Sequence, residues 1–134
     1  VATLGLGYYD AKDEHSDRSV LLSALYYFDS PFILEVGARF NRSNPGSVDA
    51  TRYFGAINWG QVKNRFITLK YESGAEGYQL MAPQIAMVDF DSDEITFVWR
   101  EWVNDDYGFN VRLQHYSNPF YDRDGVELSL FLDF

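Results

Sequence analysis

The C-terminal stretch from Tyr107 to Phe134 decides the fold, and it reads YGFNVRLQHYSN (107–118), PFYDRD (119–124) and GVELSLFLDF (125–134). Side chains on a β-strand point alternately to two faces, with a period of two residues. Every second residue from Tyr107 to Leu113 is apolar, and the residues between them are polar or glycine. The last segment alternates in the same way from Val126 to the end of the chain. The stretch therefore predicts a β-hairpin with one apolar face, and His115 and Ser117 continue the apolar stripe of its first strand.

Six further segments with strand alternation precede this hairpin, and clusters of turn-forming residues separate them. The clearest is 32–41, in which Phe32, Leu34 and Val36 share one face. No segment shows the helical period of about 3.6 residues. Residues 74–92 are ambiguous, because they fit either a long loop or further strand. The predicted strands are 1–9, 19–28, 32–41, about 52–59, about 67–72, 93–102, 107–118 and 125–134.

The connections between these segments alternate between short and long. In an antiparallel up-and-down barrel, this alternation places every short turn at one end and every long loop at the other, as in outer-membrane barrels. The sequence therefore predicts one domain, residues 1–134, that folds as an all-β, eight-stranded antiparallel up-and-down transmembrane β-barrel. The short connections are 29–31, 60–64 and 103–106; the long ones are 10–18, 42–49, 74–92 and 118–124.

The charges lie on one face of the predicted strands. Five cations and five anions share that face, so they can pair inside a small barrel that side chains fill. The other face carries almost no charge and would form an unusually large apolar patch in water, whereas lipid accommodates it. We therefore expect the apolar face to meet lipid; the alternative is a soluble barrel of the lipocalin or fatty-acid-binding type. The charged residues are Arg39, Arg52, Lys70, Arg100, Arg112, Glu35, Glu72, Glu94, Glu127 and Asp133.

The composition limits the remaining classes. A net charge of −9 argues against nucleic acid as a partner, and the absence of Cys removes disulfides, thiol catalysis and Cys-based zinc sites. No apolar run approaches the roughly 18 residues of a membrane-spanning helix. A strand pattern begins at Val1, so the expectation is a mature chain without a signal peptide, placed in the bacterial outer membrane.

The sequence His115-Tyr116-Ser117-Asn118, with Glu127 near the start of the last strand, resembles the PagL-type outer-membrane lipid A 3-O-deacylases. The resemblance covers roughly residues 93–134. It implies an eight-stranded barrel that hydrolyses the 3-position acyl ester of lipopolysaccharide in the outer leaflet, without a cofactor. It also implies that Ser117 is the nucleophile, that His115 is the general base and that Glu127 orients the imidazole.

The same resemblance implies that Asn118 helps to hold the oxyanion. The family pattern has Ala-Gly after this residue, whereas this chain has Pro119-Phe120. Proline has no amide hydrogen, so the amide of Phe120 is the expected second donor. A serine becomes a good nucleophile when a base takes its proton and a third group fixes that base. Strict alternation places Glu127 on the other face from His115, so the triad requires a twist or a bulge at Gly125.

Two alternatives to the enzyme stay open: a non-catalytic small outer-membrane barrel of the adhesion or membrane-stabilising kind, and a soluble barrel that binds a hydrophobic ligand. A homodimer is compatible with the sequence. His15 lies in a charged loop and is expected to be solvated. The acidic run Asp89, Asp91, Asp93 and Glu94 could hold a divalent cation that bridges lipopolysaccharide phosphates. No other metal-ligand spacing or phosphate-binding glycine loop is present.

Overall fold

The computed structural model describes residues 1–10, 16–44, 48–78 and 88–133. The chain forms one antiparallel sheet of eight strands, in which each strand pairs with the next one along the sequence. None of the described residues forms a helix long and apolar enough to cross a bilayer. The strands are β1 (Ala2–Asp10), β2 (Ser16–Tyr27), β3 (Phe32–Asn44), β4 (Val48–Gln61), β5 (Arg65–Tyr78), β6 (Val88–Trp102), β7 (Tyr107–Ser117) and β8 (Asp122–Leu132).

The predicted all-β, eight-stranded, antiparallel up-and-down arrangement is confirmed. Within the described ranges, the strand ladders run from β1 to β8 without a ladder between these two strands, so the sheet is open along one seam. The short-turn connections also lie where the alternation predicts them, at 28–31, 62–64 and 103–106.

At the end of the sheet opposite the short turns, the strands are longer than the sequence pattern predicts. The ambiguous region 74–92 contributes strand on both sides, because β5 continues to Tyr78 and β6 begins at Val88. The predicted loop 118–124 is a tight turn of residues 118–121. The centres of the three other predicted loops, and His15 with them, lie outside the described residues. Strands β3 to β6 contain 13 to 15 residues, whereas about 9–11 suffice to cross a membrane, so the sheet extends beyond the bilayer.

The exposure of the side chains separates the two faces as predicted. The buried residues include Arg52, Ser92 and Thr96, which all point to the inner face, while large aliphatic side chains on the outer face are exposed. A soluble barrel has the opposite distribution. The outer face is therefore suited to lipid. Its exposed aliphatic residues are Leu4, Leu6, Val20, Leu22, Val36, Ile57, Leu69, Ile95, Leu113, Val126, Leu128, Leu130 and Leu132.

The inner face is concave, because side chains on it reach past the neighbouring strand. Arg52 on β4 binds Ser92 on β6, and Tyr116 on β7 binds Glu76 on β5. At the short-turn end, Lys63 between β4 and β5 lies 2.9 Å from Asp133, directly after β8. The hydrogen bond from Lys63 lowers the pKa of the Asp133 carboxyl below its usual range. These contacts curl the sheet in the direction of a barrel.

Candidate functional site

The register between β7 and β8 places His115 opposite Asp124. Both side chains lie on the outer face, and the imidazole Nδ1 is 2.7 Å from Asp124 Oδ1. The carboxylate fixes the orientation of the ring and directs its other nitrogen, Nε2, away from Asp124. The two side chains are exposed, at 52% for His115 and 83% for Asp124. A His–carboxylate hydrogen bond of this kind also orients the imidazole in catalytic triads.

Glu127 does not supply the carboxylate that orients His115. Its register partner is Arg112, and both residues point to the inner face. The β7–β8 ladder is regular through Gln114 and Gly125, so the bulge that the triad needs at Gly125 is absent from this described hairpin. The strand period therefore keeps Glu127 and His115 on opposite faces, and the prediction that these two residues meet is wrong. Asp124 occupies the position expected for the acid.

Ser117 shares the outer face with His115, as predicted. Residues i and i+2 of a strand point to the same side and lie about 6–7 Å apart along the backbone, so the two side chains are neighbours on this face. The register partners of Ser117 are Asp93 on β6 and Asp122 on β8. The tyrosine hydroxyl of Tyr71 donates a hydrogen bond of 2.6 Å to Asp93. The candidate nucleophile thus lies between carboxylates at the outer end of the sheet.

The two predicted oxyanion donors are used by the β7–β8 turn. The Asn118 side-chain oxygen Oδ1 accepts hydrogen bonds from the amides of Phe120 and Tyr121, at 2.8 and 2.9 Å. Its amide nitrogen Nδ2 donates to the Tyr116 hydroxyl at 3.1 Å. The Phe120 amide, predicted as the second donor, therefore points at Asn118. Both groups would have to leave these partners before they could stabilise an oxyanion.

Asn104 forms the same arrangement at the opposite end of β7. Its side-chain oxygen accepts hydrogen bonds from the amides of Asp106 and Tyr107, at 2.9 and 3.0 Å. Asparagine is common in turns because its side chain can bond the backbone two residues further on. The turn with Asn104 contains none of the candidate catalytic residues. The geometry at Asn118 is therefore explained by the turn alone.

An apolar groove lies on the outer face beside the His115–Asp124 pair. Leu69, Ile95, Phe97 and Leu113 line it together with His115 and Asp124, and its volume is about 320 Å³. Ile95 lies directly opposite His115, and Leu69, Phe97 and Leu113 form the next outer-face row in the direction of the short turns. The chemistry of this groove suits a hydrocarbon chain.

The predicted cation site is not assembled. Asp93 points to the outer face and Glu94 to the inner face, because they are consecutive on β6. Within the described part of the chain, no group of three or more His, Cys, Asp or Glu side chains is arranged to hold a metal ion. The outer-face carboxylates Asp93, Asp122 and Asp124 repel a phosphorylated lipid headgroup unless cations screen them.

The inner face holds a charged network that the sequence predicted only in part. Arg52, which is 9% exposed, donates to Glu72 at 2.8 Å, to Glu76 at 2.6 Å and to Ser92 at 2.5 Å. Lys70 also binds Glu72, at 2.8 Å. Two cations and two anions therefore neutralise one another. We call Arg52, Lys70, Glu72, Glu76, Ser92 and Tyr116 the inner network.

The inner network extends to the β7–β8 turn. The Tyr116 hydroxyl donates to Glu76 at 2.9 Å and accepts from Asn118, so a continuous path of hydrogen bonds joins β4 to this turn. Gly74 gives Arg52 the space it needs: its φ is +149°, and a Cβ there would lie 2.7 Å from Arg52 Cα. The pairing expected for Arg52, Lys70 and Glu72 is therefore found.

Sequence reasoning missed Asp124, Glu76, Ser92 and Tyr116. Asp124 could have been found from the turn: a hairpin closed at 118–121 pairs residue 115 with residue 124. Glu76 and Ser92 lie in the region left ambiguous. The alternation of residues shows which face of the sheet a side chain points to. It does not show which side chain on another strand that residue will contact, so the contacts of Glu76 and Ser92 could not be predicted from it.

Comparison with known proteins gives one family. A family model described as the YaiO membrane beta barrel domain matches residues 1–79. The matched region spans β1 to β5 and ends before the candidate site on β7 and β8. No curated protein matches the chain, and no solved structure matches it. The match supports an outer-membrane barrel and does not point specifically to the PagL-type deacylases.

Proposed function

Because the chain belongs to the YaiO membrane beta barrel domain family, we propose that it is a non-catalytic outer-membrane barrel of the adhesion or membrane-stabilising kind. The proposal rests on the inner network, which joins strands that extend past the bilayer. Arg52 on β4, Glu76 on β5 and Ser92 on β6 bond one another and so cross-link these three strands. A braced, projecting sheet is suited to contact with other molecules.

The state of the β7–β8 turn supports this proposal. A serine esterase needs hydrogen-bond donors held ready for the oxyanion, and loss of one such donor costs about 2.7–4 kcal/mol of transition-state stabilisation. Here Asn118 and the Phe120 amide bond each other. Their present role is architectural, as it is for Asn104.

A second candidate is the lipid A 3-O-deacylase, and the His115–Asp124 hydrogen bond favours it. In this reaction His115 takes the proton of Ser117, whose oxygen forms an ester with the 3-position acyl chain. The sugar hydroxyl leaves with the proton from the imidazole, and water then hydrolyses the acyl-enzyme. Asp124 replaces Glu127 as the orienting acid, and the groove at Leu113 takes the acyl chain. Asn118 and Phe120 would serve the oxyanion only after the turn rearranges.

Mass spectrometry of lipid A separates the two candidates. Cells that produce the wild-type chain, cells that produce Ser117→Ala and cells with an empty vector are compared, with the amount of folded protein in the outer membrane measured in each. We expect three identical lipid A profiles. Loss of one hydroxyacyl mass with the wild type, and not with Ser117→Ala, would replace the non-catalytic proposal with the deacylase.

A further inference from the structure

Two arginines lie side by side on the outer face, at the end of the sheet opposite the short turns. Arg18 on β2 is the register partner of Arg42 on β3, and both side chains are exposed. Like charges that face each other directly on neighbouring strands are destabilising. An anion that bridges the two guanidinium groups would remove this repulsion. We call Arg18 and Arg42 the arginine pair.

Asp49 on β4 compensates the arginine pair only in part. Its Oδ1 lies 3.7 Å from Arg42 Nε, which is longer than the roughly 2.7–3.2 Å of an N–H···O hydrogen bond. Both side chains of this ion pair are exposed, so solvent weakens their attraction. A guanidinium group has several N–H donors in a planar fork. Arg18 and Arg42 can therefore bind a further anion without losing Asp49.

The depth of the arginine pair in the membrane follows from β3. Phe32 lies beside Trp59 at the short-turn end of the sheet, and every outer-face residue between Phe32 and Arg42 is apolar. These residues are Leu34, Val36, Ala38 and Phe40. A separation of ten residues corresponds to about 33 Å along the strand, and a tilt of about 40° reduces this to about 25 Å across the membrane, the height of the apolar band of a barrel. Arg42 therefore lies at the level of the outer-leaflet headgroups.

The outer face has opposite charges on its two sides at this level. The arginine pair lies on β2 and β3, whereas β6 and β8 carry Asp93, Asp122 and Asp124 at the same end of the sheet. A phosphate group is attracted to the first side and repelled by the second. Charge complementarity thus selects one side of the barrel for a phosphorylated lipid.

We propose that the arginine pair binds the phosphate monoester of an outer-leaflet lipid, the group that lipid A carries. Arginine binds phosphate oxygens in bidentate geometry, and two arginines match the two negative charges of a monoester. The acyl chains of the lipid lie along Val20 and Phe40, the next outer-face pair toward the membrane centre. Tyr8, the register partner of Arg18, adds a hydroxyl donor at the interface. The site is separate from β7 and β8 and is independent of both candidate functions.

Native mass spectrometry of the folded protein in an uncharged detergent tests the proposal. The probes are three lipids with the same oleoyl chains: phosphatidic acid, which has a phosphate monoester, phosphatidylcholine, in which choline esterifies the phosphate, and diacylglycerol, which has no phosphate. The variant R18Q/R42Q is compared with R39Q/R112Q, which removes the same charge from two exposed arginines of the inner face.

We expect the wild type to bind phosphatidic acid at least about tenfold more tightly than the other two lipids, because the charge-assisted hydrogen bonds are lost with the monoester. R39Q/R112Q should keep this preference and R18Q/R42Q should lose it. The single variants R18Q and R42Q should each reduce the preference, and they replace the double variant if it does not fold. A preference that R18Q/R42Q retains, or that R39Q/R112Q also loses, would overturn the site. Equal binding of the three lipids by the wild type would overturn phosphate recognition.

Competition distinguishes a lipid phosphate from a free one. Lipid A and inorganic phosphate are each used to displace phosphatidic acid from the wild type. Because its acyl chains bury apolar surface on Val20 and Phe40, lipid A should act at a concentration at least about 100-fold lower than inorganic phosphate. Equal potency of the two competitors would assign the arginine pair to free phosphate and overturn the lipid as its occupant.

Discussion

The substitution Arg52→Ala is expected to lower the free energy of unfolding by at least about 3 kcal/mol, the cost of breaking a buried ion pair. Arg52 donates to Glu72, Glu76 and Ser92 on the two following strands. Its removal leaves the Glu76 carboxylate without its cation and loosens β4 from β6. Equilibrium unfolding by urea in phospholipid bilayers measures the change.

Arg112→Ala is the matched control. Arg112 also points to the inner face, from β7, but its side chain is exposed, so the expected change is below about 0.5 kcal/mol. Tyr116→Phe should lie between the two, at about 1 kcal/mol, because it removes a single hydroxyl between Asn118 and Glu76. Equal effects of Arg52→Ala and Arg112→Ala would show that the inner network does not stabilise the sheet.

Leu69→Arg is expected to destabilise the protein in a bilayer by about 2–4 kcal/mol, the cost of an arginine near the membrane midplane. Leu69 lies on the outer face in the middle of β5 and is 47% exposed in the structure. A side chain that met water there would accept the substitution at little cost. The cost therefore reports contact with hydrocarbon.

Ser73→Arg is the matched control for Leu69→Arg, because Ser73 lies on the same face and strand but toward the outer end. Arginine near the interface costs only about 0–1 kcal/mol. Unfolding in bilayers should separate the two variants. Similar costs at both positions would mean that the outer face of β5 does not extend from the membrane midplane at Leu69 to the interface at Ser73.

The fold could be predicted from the sequence because one signal repeats in every strand. The two-residue period fixed the strands, the faces and the order of connections, and it predicted correctly that Arg52, Lys70 and Glu72 share a face. The ends of the strands could not be predicted in the same way. Glu76 and Ser92 lie in the region that fits either a long loop or further strand, and in the structure they continue β5 and β6.

The candidate site was predicted less well, because catalysis depends on contacts across strands. The period correctly placed His115 and Ser117 on one outer face. The same period places Glu127 on the inner face, away from His115, whereas the resemblance to the deacylases pairs these two residues. The regular ladder through Gly125 agrees with the period. Asp124 and the turn bonds of Asn118 depend on the hairpin register, which follows from the length of the turn and cannot be read from either strand alone.

The orientation of the three tryptophans tests the central claim, that the apolar face meets lipid. Trp59 and Trp99 lie on the outer face, whereas Trp102 points inward and packs on Arg100 and Phe131. Single-tryptophan variants, with the other two changed to Phe, are folded into vesicles whose acyl chains carry bromine, a short-range quencher. Strong quenching of Trp59 and Trp99 with little quenching of Trp102 is the predicted result. Quenching of Trp102 alone, or of none of the three in folded protein, would contradict it.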